Sequence, residues 1–230
     1  MKCFYALLLA FLLIVSCGLP EGEYKITVSG QGLNNRKAVL YRYDDSVLIT
    51  VDSAYFERNS LVLGGSVSHP ELMYLFVGDA PDYLPIFVEN SDIKVSYNFA
   101  KPEKSVVTGS ESHKNFVDFI QSYSAYCDKG AGVNRMYAEA SKNSDSLIIN
   151  NLDSIIGVLN NEKNQFQLNF VQNNITSPIA PYILATQLMY NLNNETFEKI
   201  LGMFPKSNRD NRYYKKAETY FNALNQHLEY

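Results

Sequence analysis

The chain has 230 residues, with 20 Lys and Arg against 24 Asp and Glu, a net charge of −4 at neutral pH, and 46% hydrophobic residues that include 17 Tyr, 13 Phe and no Trp. That mild acidity argues against a nucleic-acid partner, which calls for a basic face, and the apolar and aromatic content excludes a disordered tether. The length suits one large domain or two small ones after a short leader.

The leader comes first. Met1, Lys2 and Cys3 precede an uncharged apolar run of twelve residues, Phe4 to Val15. A helix that crosses about 30 Å of hydrocarbon needs about 20 apolar residues, so this run fits the core of a cleavable signal peptide. Ile14, Val15, Ser16 and Cys17 resemble a bacterial lipobox. That resemblance implies a signal peptide over 1–16, a lipid on the Cys17 thiol, acylation of the new amino terminus, and a short tether over 17–23. Several acyl chains on one residue anchor far more firmly than a single chain.

Three cysteines are present. With Cys3 removed and Cys17 acylated, Cys127 has no partner for a disulfide, and it is expected to be a small buried hydrophobe. No CxxC and no Cys/His cluster with zinc spacing occurs.

From Tyr24 to about Val107 the apolar pattern has a period of two. The segments "YKITVSG", "KAVLYRYDDS", "VLITVDSAYFERNSLVLGGSV", "ELMYLFVG", "LPIFVEN" and "DIKVSYNF" predict seven or eight short strands. Two of them flank a polar turn at Glu57 to Asn59. With no helical crossover to allow parallel pairing, the expected β domain, 24–109, is an antiparallel sandwich or open barrel.

After Gly109 the period becomes 3.6. Ser110 is the expected N-cap of a helix whose stripe is Phe116, Phe119, Ile120, Tyr123 and Cys127, with a break or bend at "DKGAG". A long helix through Ile148, Leu152, Ile155, Ile156, Leu159, Phe166 and Phe170 follows, up to Asn174. Further helices start at Ser177-Pro178, run from Asn194 to Phe204, and carry Tyr213, Ala217, Tyr220 and Phe221. The fold class is α+β: a β half followed by an α-helical region, 110–230.

The stretches "ITVSGQGLNNRKAVLY", "LPIFVENSDIKVS" and "VVTGSESHKNFVDF" resemble the β-rich domain of unknown function DUF4369 over roughly Tyr24 to Phe119. The resemblance implies a lipoprotein or exported protein of Bacteroidetes in which this domain ordinarily precedes a thioredoxin-like domain of the AhpC/TSA or TlpA/ResA kind. The helical remainder resembles the connector to that domain. Its CxxC is missing here, and thiol exchange needs both an attacking thiolate and a resolving thiol. On this basis the chain alone is not a thiol oxidoreductase.

Dispersed residues offer other candidate chemistry. His69, His113 and His227 are too separated to form a recognisable ligand set, and His113 fits a helix cap. "GGSVS", Gly64 to Ser68, departs from a nucleophile elbow at its last position. Asp79, Asp82, Tyr83 and Glu89 frame the longest loop of the β half and form a candidate binding loop for a cation or sugar hydroxyls. Lys206, Arg209, Arg212, Lys215 and Lys216 form a basic segment around two tyrosines, suited to lipid or lipopolysaccharide phosphates or to a solvated helix start. Ser53, Ser146 and Ser154 each follow an Asp and resemble the O-glycosylation acceptors of Bacteroidetes exported proteins.

The expectation is a non-catalytic, membrane-anchored envelope lipoprotein that binds a protein or glycan, with no cofactor. The outer membrane is favoured because no aspartate follows Cys17. The alternative is an accessory of thiol-disulfide redox that works with a separate thioredoxin-like partner. A third possibility, an enzyme built from dispersed polar residues, predicts a deep pocket near Asp79 to Glu89.

Overall fold

The computed structural model describes residues 22–44 and 46–226. The expected signal segment 1–16, the lipidation residue Cys17, most of the tether, and His227 lie outside them. Among the described residues no helix is long and apolar enough to cross a membrane.

Eight strands come first: β1 (Tyr24–Ser29), β2 (Lys37–Asp44), β3 (Val47–Tyr55), β4 (Ser60–Gly65), β5 (Glu71–Val77), β6 (Leu84–Val88), β7 (Asp92–Ser96) and β8 (Val106–Thr108). They form two four-stranded sheets, ordered β4-β1-β7-β8 and β3-β2-β5-β6. The period-two pattern has the expected cause. Tyr24, Ile26 and Val28 of β1, Leu61 and Leu63 of β4, and Ile93 and Val95 of β7 point inward, against Leu40 of β2, Leu75 of β5 and Ile86 of β6. Each fully buried side chain of this size contributes about 2 kcal/mol.

The pairing is not wholly antiparallel. β1 and β7 run parallel, Ile26 beside Ile93 and Val28 beside Val95. A parallel pair needs a long crossover, and here the second sheet itself supplies it, since β2, β3, β5 and β6 all lie between β1 and β7 in the chain. The turn after β3 also does more than reverse direction. Arg58 and Asn59 adopt positive φ, and the Asn59 side chain accepts from the backbone N–H groups of Leu33 and Asn34. That turn carries the chain from one sheet to the other, so β4 pairs with β1 and not with β3.

The helices are α1 (Glu111–Lys142), α2 (Ser146–Asn173), α3 (Ala180–Ile183), α4 (Asn194–Met203), α5 (Lys206–Arg209) and α6 (Arg212–Gln226). Ser110 caps α1 as expected, accepting from the His113 N–H at 2.9 Å. α1 does not break at "DKGAG": Gly130 and Gly132 lie inside one 32-residue helix. Packing against α2 sustains it where isolated propensity is weak.

α1 and α2 form a long hairpin with a heptad seam. Phe116, Phe119, Tyr123, Tyr126, Gly130, Val133, Tyr137 and Ala140 alternate at three and four positions, all buried or half-buried, and face Ile149, Leu152, Ile156, Leu159, Lys163, Phe166 and Phe170. The alternation puts Tyr126 on the seam, 5.2 Å from the Phe166 ring. Cys127 therefore falls outside it and is exposed, contrary to the expected buried hydrophobe; Ile120 is displaced from the seam in the same way. The third helix starts at Ala180, with Ile179 at its cap, and not at Pro178. It continues into one π turn, Leu184–Leu188.

The helices pack on the outer face of sheet β3-β2-β5-β6. Leu72 of β5 and Phe87 of β6 turn away from the sandwich and join Phe116, Phe119, Ile183, Leu184, Phe197 and Tyr214 in a second core. β5 is thus covered on both faces over much of its length, which accounts for its nearly continuous apolar run.

Candidate functional site

A cleft of about 900 Å³ opens where the end of sheet β3-β2-β5-β6 meets the C-terminal helices. Its floor comes from the last residues of β2 and the first of β5, one side from the β4–β5 loop (Ser66 to His69), and the other from α6, α3 and the π turn.

Strand register explains the floor. Leu40 pairs with Leu75 and Arg42 with Met73, so Arg42 continues the inward-facing row of β2 just where the apolar core ends. Glu71 continues the matching row of β5. The Glu71 side chain is only 9% exposed and lies between two guanidinium groups, Arg42 at 3.6 Å and Arg212 of α6 at 3.1 Å. Arg212 also reaches Asp44 at 3.2 Å. A buried carboxylate is tolerated only when charges and hydrogen bonds compensate for lost water, and here one residue from each half of the molecule does so. At the rim, Lys215 pairs with Asp210 at 3.2 Å.

The walls are aromatic. The Tyr43 and Tyr74 rings meet edge-to-face at 5.3 Å, as do Tyr182 and Tyr213 at 5.2 Å. The β2–β5 ladder ends at the Arg42–Met73 pair, and one residue beyond it the Leu72 N–H donates to the Tyr213 hydroxyl at 3.1 Å. Burial pushes the Tyr213 phenol up to about 12 and raises those of Tyr74 and Tyr182 as well. These phenols stay protonated and neutral at any physiological pH.

The residues singled out in the sequence are distributed differently. Asp79 pairs with Arg36, whose guanidinium lies 3.9 Å over the Phe99 ring. Asp82 accepts from the N–H of its own neighbour Tyr83, and Tyr83 packs against Tyr74 and Phe76. Glu89 caps α1, accepting from the backbone N–H groups of Glu111 and Ser112 and from the Ser112 hydroxyl. The four do not converge on a shared ligand position, and the large cleft lies elsewhere. A loop rich in acids looked like a site because its local ion pair and cap partners, Arg36 and Ser112, are distant in sequence.

Ser53, Ser146 and Ser154 are all exposed. Their preceding aspartates have structural work in two cases: Asp52 accepts from the Gly64 N–H across the sandwich edge, and Asp145 caps α2. Of the histidines, His69 lines the cleft and His113 is buried. Of the basic segment, Arg212, Lys215 and Lys216 line the cleft, while Arg209 closes the end of α4 by donating to the Phe204 carbonyl. Ser66 and Ser68 line the cleft, but a strand, not a helix, follows them. Arg42 and Glu71 were missed in the sequence. The signal available was a charge opening the apolar strand "ELMYLFV" directly after Pro70. Among the described residues no group of three or more His, Cys, Asp or Glu is placed to hold a metal ion.

Residues 24–116 match the family described as "Domain of unknown function (DUF4369)". The match begins with β1 and ends in the first turns of α1, so it covers both sheets and stops before the helices that complete the cleft. No curated protein matches the chain.

Proposed function

We propose that this DUF4369-bearing chain is a non-catalytic binding module of the bacterial cell envelope, lipidated at Cys17, held at the outer membrane, and engaging a protein or glycan partner at the cleft between its two halves. The observation that carries this reading is the construction of the cleft. It is large enough for a ligand of several rings, walled by tyrosines and floored by two guanidinium groups that Glu71 holds in place. Rigid aromatic surface with fixed polar groups suits binding, since it gives contact area at low entropic cost. The test has two arms. Cys17→Ser should move the protein from the membrane to the soluble envelope fraction, and a photo-crosslinking side chain at Tyr43 should capture a specific partner. A uniform spread of weak adducts from that position would count against the cleft.

An accessory role in thiol-disulfide exchange is the second reading. It is favoured by a separate feature: Met136, Ile148, Ile155 and Val158 are exposed near the tip of the α1–α2 hairpin, and the heptad spacing puts Met136, Ile148 and Ile155 on one flank. A crosslinker at Ile155 that captures a thioredoxin-like protein, with none captured from Tyr43, would favour it over binding at the cleft.

A further inference from the structure

We infer that the cleft takes an oligosaccharide carrying carboxylate or sulfate groups. This rests on the binding-module reading and adds the chemical class of the ligand.

Charge pairing within the cleft comes first. Its acids are Asp44, Glu71 and Asp210, and each is already in an ion pair with a cleft base. Its bases are Arg42, Arg212, Lys215 and Lys216. A guanidinium carries five N–H donors in a planar fork. The contacts to Glu71 and Asp44 engage only part of the two forks, and the Arg42 and Arg212 side chains remain 39% and 33% exposed. Glu71 thus pairs with both guanidinium groups while leaving N–H donors of each fork uncommitted. The lining offers cationic donors and no uncommitted carboxylate, which is the arrangement for an anion.

Hydrogen-bond polarity points the same way. Neutral sugars present hydroxyls that a site must both donate to and accept from. No Asn or Gln lines the cleft among the described residues, and its carboxylates are engaged. The Tyr213 oxygen accepts from the Leu72 N–H, so its own proton is available to donate. The Ser66, Ser68, Thr186 and Thr219 hydroxyls and the His69 imidazole in the lining can each donate or accept, so the excess of donors comes from the guanidinium and ammonium groups, and a ligand rich in acceptor oxygens matches it.

The aromatic walls separate a sugar from a bare anion. Tyr43 is 48% exposed and meets Tyr74 edge-to-face, while the Arg212 guanidinium lies 5.9 Å from the centre of the Tyr213 ring. An aromatic ring beside a cation suits a pyranose whose apolar face stacks while its acidic group is held by the fork.

The test uses the full chain in detergent micelles and titration calorimetry with four probes: tetragalacturonate, a chondroitin sulfate tetrasaccharide, neutral cellotetraose, and hexaglutamate. At least one acidic tetrasaccharide should bind, weakening as salt rises. Its affinity should fall about tenfold or more, roughly 1.4 kcal/mol, in both Lys216→Glu and Tyr43→Ala. Both positions are exposed, so the melting temperature should hold and loss of binding should not be loss of fold. Which acidic probe binds distinguishes carboxylate from sulfate. Binding of cellotetraose as tight as that of the acidic sugars, equal binding of hexaglutamate, undiminished affinity in the two variants, or no binding of any sugar would each overturn the inference. Specific capture from Tyr43 would still stand in those cases and keep the binding-module reading apart from its ligand class.

Discussion

The first turn of α1 holds Phe87 by both of its backbone polar atoms: the Phe87 N–H donates to His113 Nδ1 at 3.2 Å, and its carbonyl accepts from Ser110 Oγ at 2.8 Å. Phe87 lies on β6, an edge strand whose outward groups would otherwise be unpaired. The start of the helical half therefore closes the edge of the β half. Because Nδ1 accepts, the neutral imidazole keeps its proton on Nε2.

Stability should accordingly depend on pH through His113. Burial lowers its pKa from 6.5 to about 4 in the folded protein. The unfolded chain gains a proton below about pH 6.5 that the folded chain does not, so this contribution is complete above 6.5 and is lost as pH falls toward 4. Between pH 7 and 4.5 the loss from this one group is roughly 2 kcal/mol. Chemical denaturation at those two pH values should show a fall in stability smaller by about that amount in His113→Asn, whose side-chain oxygen can still accept from Phe87. An unchanged difference would mean that carboxylates alone set the acid sensitivity.

Arg212 joins residues 141 positions apart in sequence when it meets Glu71. Arg212→Ala should cost about 2 kcal/mol, because it leaves a buried carboxylate with Arg42 alone. Lys215→Ala should cost under about 0.5 kcal/mol, since Lys215 and Asp210 are both largely exposed. Equal losses for the two variants would show that Glu71 is solvated better than its burial indicates.

Gly130 sits on the α1–α2 seam, and a Cβ added there meets nothing within 4 Å. Gly130→Ala should raise stability by about 0.5 to 1 kcal/mol, from helix propensity and from a less disordered unfolded chain. Gly109 is the contrasting case. Its φ is +86°, and a Cβ would lie 2.1 Å from the Asp92 carbonyl oxygen, so Gly109→Ala should destabilise clearly. Thermal unfolding of the two variants should shift in opposite directions.

Local periodicity carried much of the fold into view. The inward rows of β1, β4 and β7 and most seam residues of α2 could be read because each repeats within a few positions, although Ile148 and Ile155 of the expected α2 stripe are exposed on its flank. What escaped was set by distant partners. The parallel pairing of Ile26 with Ile93 depends on a crossover made of another sheet, and the unbroken α1 depends on α2 beside it. The cleft escaped for the same reason: Arg42, Glu71 and Arg212 belong to three elements, and only the packed helices bring them together. The basic segment did contain Arg212, Lys215 and Lys216, but nothing local indicated a buried carboxylate as their counterpart. The acidic loop failed in the opposite sense, because Asp79 and Glu89 are occupied by Arg36 and by the start of α1.

The heptad register of α1 separates two adjacent residues sharply enough to test. A stripe read at i, i+3, i+4, i+7 and i+11 from Phe116 includes Cys127, whereas the heptad alternation that steps first by three, through Phe119 and Tyr123, includes Tyr126. Tyr126 contacts Phe166 and is half-buried, while Cys127 is exposed. In a background in which Cys3 and Cys17 are replaced by Ser, the folded protein should react with a thiol-specific reagent at one site, at a rate close to that of the unfolded chain. Cys127→Ala should leave stability within about 0.5 kcal/mol, whereas Tyr126→Ala should cost about 2 kcal/mol or more through loss of an aromatic contact on the seam. A slow thiol together with a costly Cys127→Ala would place Cys127 on the seam and shift the register of the hairpin by one residue.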